Sequence, residues 1–129
     1  MNGKYLLDTN IVIGLFANTS EIAEKISHAV EIYVPCMVIG ELCYGAEKSR
    51  RPEENLERID DFSHSNIILK CDGNTARYYG ATKDRLRKKG RPIPENDIWI
   101  AAIALQYDLI LTTRDEHFRE VENLKTEKW

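Results

Sequence analysis

YLLDTNIVIG, residues 5–14, is an apolar run cut by Asp8, Thr9 and Asn10 before it resumes. Residues 4–8 read as a short buried strand and 10–17 as a helix following it, because Asp, Thr and Asn favour caps and turns between such elements. A carboxylate flanked on both sides by residues that seek burial is costly unless something compensates it. What compensates Asp8 is therefore the first functional question.

The same alternation runs along the chain. Thr19 or Ser20 can cap a helix in SEIAEKISHAV, where Ile22, Ala23, Ile26, Ala29 and Val30 share a face. EIYVP, residues 31–35, is β-prone and stopped by Pro35. Helical pattern returns over residues 36–48, and PEENLERIDDFS opens another helix with Pro52 in its first turn. NIILK, residues 66–70, is a third strand. Asp72 caps a long helix over 73–89, with Ala76, Tyr79, Lys83 and Leu86 on one face and Gly90 as its stop. After the loop RPIP a helix starts near Asn96, capped by Asn96 or Asp97, and DLILTT, residues 108–113, is a fourth strand. Strands separated by helices predict an α/β fold, a parallel sheet with helices on both faces.

At 129 residues the chain suits one domain, with no internal boundary expected. Hydrophobic residues at 43%, charged residues at 30% and a net charge of -3 are globular values. No stretch approaches the roughly 18 apolar residues of a membrane helix. The start, MNGKYLLDTN, lacks the pattern of a secretory signal, so a soluble, cytoplasmic protein is expected. Cys36, Cys43 and Cys71 form no CxxC and read as small core residues. His28, His64 and His117 stand without a neighbouring partner in sequence, and each reads as structural or exposed rather than as a ligand.

Four acids remain. Asp8 and Asp115, in TTRDEHF, follow the first and last strands, where ligands bind in open parallel sheets. Each alone also reads as a helix cap or turn former. Glu41, in VIGELCYGAE, falls on the stripe Val38, Glu41, Leu42, Gly45, and its alternative is an edge position reaching solvent. Asp97 opens the helix NDIWIAAIALQ, whose stripe Ile98, Ala101, Ala102, Leu105 is rich in small residues. Independent local readings bring all four to the same end of one sheet. Several carboxylates in one pocket cannot all stay ionised unaided, and hard oxygen donors suit Mg²⁺ or Mn²⁺. With no His or Cys in the set, zinc is disfavoured.

LLDTNIVI, VIGELCYG, PIPENDIWIAAIA and LILTTRDEHFREV, in that order, resemble a PIN domain, and among these a VapC-type toxin ribonuclease of a toxin-antitoxin system. The terminal Leu124 and Trp129 also resemble the family's tail. The resemblance implies a single PIN domain over residues 1–129, a three-layer α/β/α sandwich with a central parallel sheet of four to five strands. It makes Asp8, Glu41, Asp97 and Asp115 the catalytic, metal-binding quartet, with Asn10 and Thr113 as supporting hydrogen-bonding groups. It implies Mg²⁺ (or Mn²⁺) as cofactor, endonucleolytic hydrolysis of RNA by metal-activated water, a small antitoxin partner and a homodimer. Asp108 stands where the family frequently has glycine, which bears on the turn before the last strand.

In such chemistry Asp8 and Asp97 would make the main metal contacts, with Glu41 and Asp115 completing the shell. Lys83, Arg85, Arg87, Lys88, Lys89 and Arg91 are candidates for RNA phosphate contact, or else a solvated helix end. Lys48, Arg50 and Arg51 form a second basic patch. Tyr44 and Tyr78 can stack bases, whereas Tyr79 falls on a core face. Two other functions use a similar frame: a catalytically silent RNA- or protein-binding module, and a phosphoacceptor receiver domain. The receiver usually has adjacent acids after the first strand and a lysine after the last, where this chain has DTN and TTRD.

Overall fold

The computed structural model describes residues 3–129. Five strands, β1 (Lys4–Leu7), β2 (Glu31–Pro35), β3 (Ile67–Leu69), β4 (Ile110–Thr112) and β5 (Thr126–Glu127), form one sheet of order β3-β2-β1-β4-β5. Every pairing is parallel, with Leu6 opposite Tyr33 on one side and Leu111 on the other. The helices are α1 (Thr9–Phe16), α2 (Ser20–His28), α3 (Cys36–Glu47), α4 (Pro52–His64), α5 (Gly73–Lys89) and α6 (Glu95–Tyr107), followed by a 3₁₀ turn, Glu116–Glu120.

Central placement of β1 follows from its composition, since Leu6 and Leu7 are fully buried and only an inner strand is covered on both faces. The chain steps outward from β1 to β2 and β3, crossing through α1 to α4. It then travels back through α5 and α6 to β4 on the other side of β1. With right-handed crossovers, this reversal puts α5 and α6 on the opposite face of the sheet, giving the expected three layers. The receiver alternative fails here, because the doubly wound order of such domains is 2-1-3-4-5. Among the described residues no helix is long and apolar enough to cross a membrane.

Several local readings need correction. In α5 the inward face is Thr75, Tyr79, Thr82 and Leu86, while Ala76 and Lys83 are exposed. Thr75 can be buried because it completes a capping box with Asp72 and donates its hydroxyl to Gln106 Oε1 at 2.5 Å. Ala23 and Val30 are exposed rather than part of the α2 face, Cys71 is exposed, and Cys36 and Cys43 are half-buried. Helix α6 is buried almost continuously from Ile98 to Ala104, broader than a stripe. Gly90 ends α5 at φ 68° and Asp108 ends α6 at φ 52°, so the aspartate adopts the left-handed conformation that glycine takes at less cost.

Strand β5 is the fifth strand that the resemblance allowed, at a place the residue pattern did not mark. Two residues carry almost no pattern, and this strand exists because the edge of β4 pairs with it: Leu111 N–H donates to Lys125 O at 2.9 Å and Thr113 N–H to Glu127 O at 3.1 Å. Just beyond it Trp129 is buried, its ring centroid 4.9 Å from that of Tyr5 and its Nε1–H donating to Glu127. Arg114 Nε donates to the Trp129 carbonyl at 3.1 Å. Replacing Trp129 with Ala should cost about 3 kcal/mol of stability, measured as a lower urea midpoint at unchanged m-value. A variant within about 0.5 kcal/mol of the parent would mean that the ring contributes no packing.

Candidate active site

The reversal of direction between β1 and β4 opens a crevice at their carboxyl ends, the place where open parallel sheets receive ligands. Asp8 leaves β1 there, and Thr113 to Asp115 leave β4 beside it. Asp8 caps α1 and is only 3% exposed. Its Oδ1 accepts from the Thr9 N–H at 2.8 Å, and its Oδ2 accepts from the Thr113 hydroxyl at 2.6 Å. The Thr113 oxygen in turn accepts from the Asp115 N–H at 3.0 Å, so one hydroxyl couples the two acid-bearing segments. Asn10 Oδ1 braces the same loop by accepting from the Arg114 N–H at 3.3 Å. Burial pushes the Asp8 carboxyl up to about 6, against the opposing effect of its hydrogen bonds to Thr113 and Thr9, with the charges of Asp97 and Asp115 adding to the rise.

Asp97 lies in the first turn of α6 with its Oδ2 2.7 Å from His117 Nε2. Burial raises its carboxyl as well, while the contact with His117 opposes the rise and the Asp115 charge adds to it. Asp97, Asp115 and His117 each present a ligand-type atom, all within 4.8 Å of one another. Glu41 enters from α3 across the cleft and accepts a hydrogen bond from the side chain of Asn96, the residue before Asp97. The cleft measures about 800 Å³, and Asp8, Glu41, Asp97 and Asp115 all line it.

The four acids expected from the sequence thus meet, but three local readings change. Asp97 is not the cap of α6, which begins after Pro94 with no side-chain cap bond, and this leaves its carboxylate to the cleft. Glu41 holds the edge position: Val38, Leu42 and Ala46 are the buried stripe of α3, while Glu41 and Gly45 are exposed. A Cβ on Gly45 would meet nothing within 4 Å, so this glycine serves no close packing. His117 is the third correction, a histidine within the site. Its spacing from Asp115 becomes informative only once the 3₁₀ turn is known. His28 and His64 bond to the Glu24 and Asp60 carbonyls of their own helices.

None of the six basic candidates lines the cleft. Lys83 pairs with Glu95 at 3.1 Å, Lys88 and Arg87 with Asp84 at 2.9 and 3.8 Å, and Lys89 with Glu120 at 3.4 Å. Arg85 borders a separate cavity of about 460 Å³ with Arg77, Tyr78 and Lys125, and Arg91 is exposed on the loop that leads to α6. Arg51 pairs with Glu54 at 3.4 Å. Tyr79 stacks on Trp99 with centroids 3.9 Å apart, in keeping with a packing role. Tyr44 lines the cleft, is 68% exposed, and carries Lys48 Nζ 4.6 Å from its ring centroid.

These donors fit a divalent cation. Two unit charges within 4.8 Å of each other repel by roughly 3 kcal/mol or more at an effective dielectric near 20, and among the described residues no Lys or Arg lines the cleft to offset this. Carboxylate oxygens suit Mg²⁺ and Mn²⁺, and one imidazole does not exclude either.

The PIN domain model matches residues 5–124. The chain belongs to the PIN domain family. Ribonuclease VapC2 of Haemophilus influenzae is 41% identical over 129 residues, covering 98% of both chains. The tRNA(fMet)-specific endonuclease VapC of Shigella flexneri is 34% identical over 129 residues, again covering 98% of each. Among solved structures, VapBC2 from Rickettsia felis, bound to a DNA fragment from its promoter, matches with a TM-score of 0.91 at 28% identity and covers 98% of both chains. In this PIN domain the segments bearing Asp8, Glu41, Asp97 and Asp115 all fall within the matched residues.

The raised Asp8 carboxyl has a consequence for stability. The folded, metal-free chain holds a proton on Asp8 up to about pH 6, whereas the unfolded chain releases it near 3.8. Stabilisation from this group is therefore full below about pH 4 and is lost as pH rises through 6. A shift of this size corresponds to about 3 kcal/mol. In metal-free buffer, Asp8→Asn should be more stable than the parent by about 2–3 kcal/mol at pH 7.5 and lose that advantage at pH 4, by urea denaturation. An equal difference at both pH values would contradict the raised pKa.

Proposed function

We propose that the chain is a divalent-metal-dependent endoribonuclease, the toxin of a toxin-antitoxin pair, that hydrolyses RNA phosphodiester bonds. The observation that carries this reading is the convergence of Asp8, Asp97, Asp115 and Glu41 on one cleft at the ends of β1 and β4. Likeness to relatives named ribonuclease VapC over almost their full length supports it.

In this reading Asp97 and Asp115 hold the ion, in place of the expected pair Asp8 and Asp97, because their ligand atoms lie within 4.8 Å of each other, and Asp8 and Glu41 complete its surroundings. Mg²⁺ or Mn²⁺, when bound, neutralises charge on the scissile phosphodiester and makes water a better nucleophile. Thr113 keeps Asp8 and the Asp115 backbone in register, and Asn96 holds Glu41 toward the cleft. In-line attack of water leaves a 5′ phosphate and a 3′ hydroxyl. Tyr44, which lines the cleft, offers a base-stacking face with the Lys48 ammonium beside it. Lys88, Lys89 and Arg91, near the same end of the α5–α6 hairpin, would meet phosphates farther along the strand.

A small antitoxin partner is part of the proposal. Relatives solved as VapBC complexes support it, as does an apolar groove of about 350 Å³ that shares Thr9, Ile13, Glu41 and Tyr44 with the cleft. Ile13, 54% exposed, offers such a partner apolar contact. An arginine from the partner placed against the acids would make charge-assisted hydrogen bonds.

Purified chain should cut single-stranded RNA with Mg²⁺ or Mn²⁺, stop on addition of EDTA, and lose at least about a hundredfold in rate with Asp8→Ala or Asp97→Ala. Equal cleavage by the variants and the parent would reject the assignment. Expression of the parent chain alone should arrest growth, and co-expression of the partner should relieve the arrest.

A further inference from the structure

His117 was not expected in the site, and its environment is specific. It lies in the 3₁₀ turn directly after Asp115, with its ring 4.8 Å from that of Phe118, centroid to centroid. Phe118 is 1% exposed, so the imidazole rests on a fixed base. From there its Nε2 reaches Asp97 Oδ2 at 2.7 Å, across twenty residues of sequence. Among the described residues this is the one side-chain hydrogen bond given to the Asp97 carboxylate. The other acids are held by different donors: Asp8 by Thr9 and Thr113, and Glu41 by Asn96.

A carboxylate in the first turn of a helix retains rotamer freedom unless a donor holds one oxygen. We propose that His117 is the positioning residue of the metal centre: its Nε2–H holds Asp97 Oδ2 and so fixes the Asp97 carboxylate relative to Asp115, with which it lines the cleft. The same bond ties the 3₁₀ turn to the start of α6, and so sets the spacing between the two segments that present Asp97 and Asp115. Donors of this kind, one bond removed from an ion, typically change metal affinity or activity by about 10- to 100-fold when removed. The inference rests on the divalent-metal reading above.

The test is Mn²⁺ and Mg²⁺ binding to the RNA-free protein by isothermal titration calorimetry, using parent, His117→Phe and His117→Gln, with thermal melts to verify folding. Phenylalanine keeps a ring on Phe118 without the donor, and glutamine restores an N–H. The phenylalanine variant should bind both ions at least about tenfold more weakly, by a similar factor for each, and glutamine should recover most of the loss. Unchanged affinity in the phenylalanine variant would overturn the positioning role while leaving the metal centre standing. Loss confined to Mn²⁺ with no recovery by glutamine would also overturn it, because it would make His117 a direct nitrogen ligand. A melting temperature that falls alike in both variants, with binding unrecovered, would reduce His117 to a packing residue. Absence of binding by the parent would remove the metal reading and this inference together.

Discussion

A carboxylate buried at the end of the central strand is the constraint around which this protein is arranged. Asp8 cannot move outward without breaking the β1–β4 pairing, which its own N–H extends by donating to Thr112 O at 3.0 Å. It cannot shed its charge cost entirely either, because two hydrogen bonds do not balance the loss of water. Two further acids stand near enough to add to that cost. The sheet carries this liability where its topology makes a ligand crevice. Stability given up at that point is what a cation-binding site requires in its empty form.

The supporting residues fit this view. Thr113 serves Asp8 and the Asp115 backbone at once, so β4 cannot shift without disturbing both. Arg114, between them, reaches the Trp129 carbonyl, and Trp129 packs on Tyr5 of β1. The final strand and its tail thereby brace the loop that carries Asp115. On the opposite wall Asn96 links Glu41 to α6. Each acid is attached to a different element, and hydrogen bonds rather than apolar contacts set their relation.

Much of this was legible in the sequence because strong local signals agreed. Asp8 between two apolar runs, Pro35 at the end of EIYVP and Gly90 after a basic helix end each act through short-range physics, and their elements form as read. What was not legible depends on tertiary partners. Thr75 and Thr82 are buried against expectation, and for Thr75 the reason is a bond to Gln106, thirty-one residues away. Strand β5 has too few residues to show a period. Asp97 looked like a cap because a cap preference is local, while its actual partner, His117, is twenty residues distant. The basic run was visible as a run, but not its ion pairs: Lys88 pairs with Asp84 on the same helix, Lys83 with Glu95 of α6 and Lys89 with Glu120 of the 3₁₀ turn, all outside the cleft lining.

The central claim is that these acids share one divalent ion. Crystals grown or soaked with Mn²⁺ and measured for anomalous scattering test it most directly. A peak between Asp97 and Asp115, within the cleft that Asp8 and Glu41 also line, is the predicted result. Well-diffracting crystals at saturating Mn²⁺ with no peak in that cleft would contradict it.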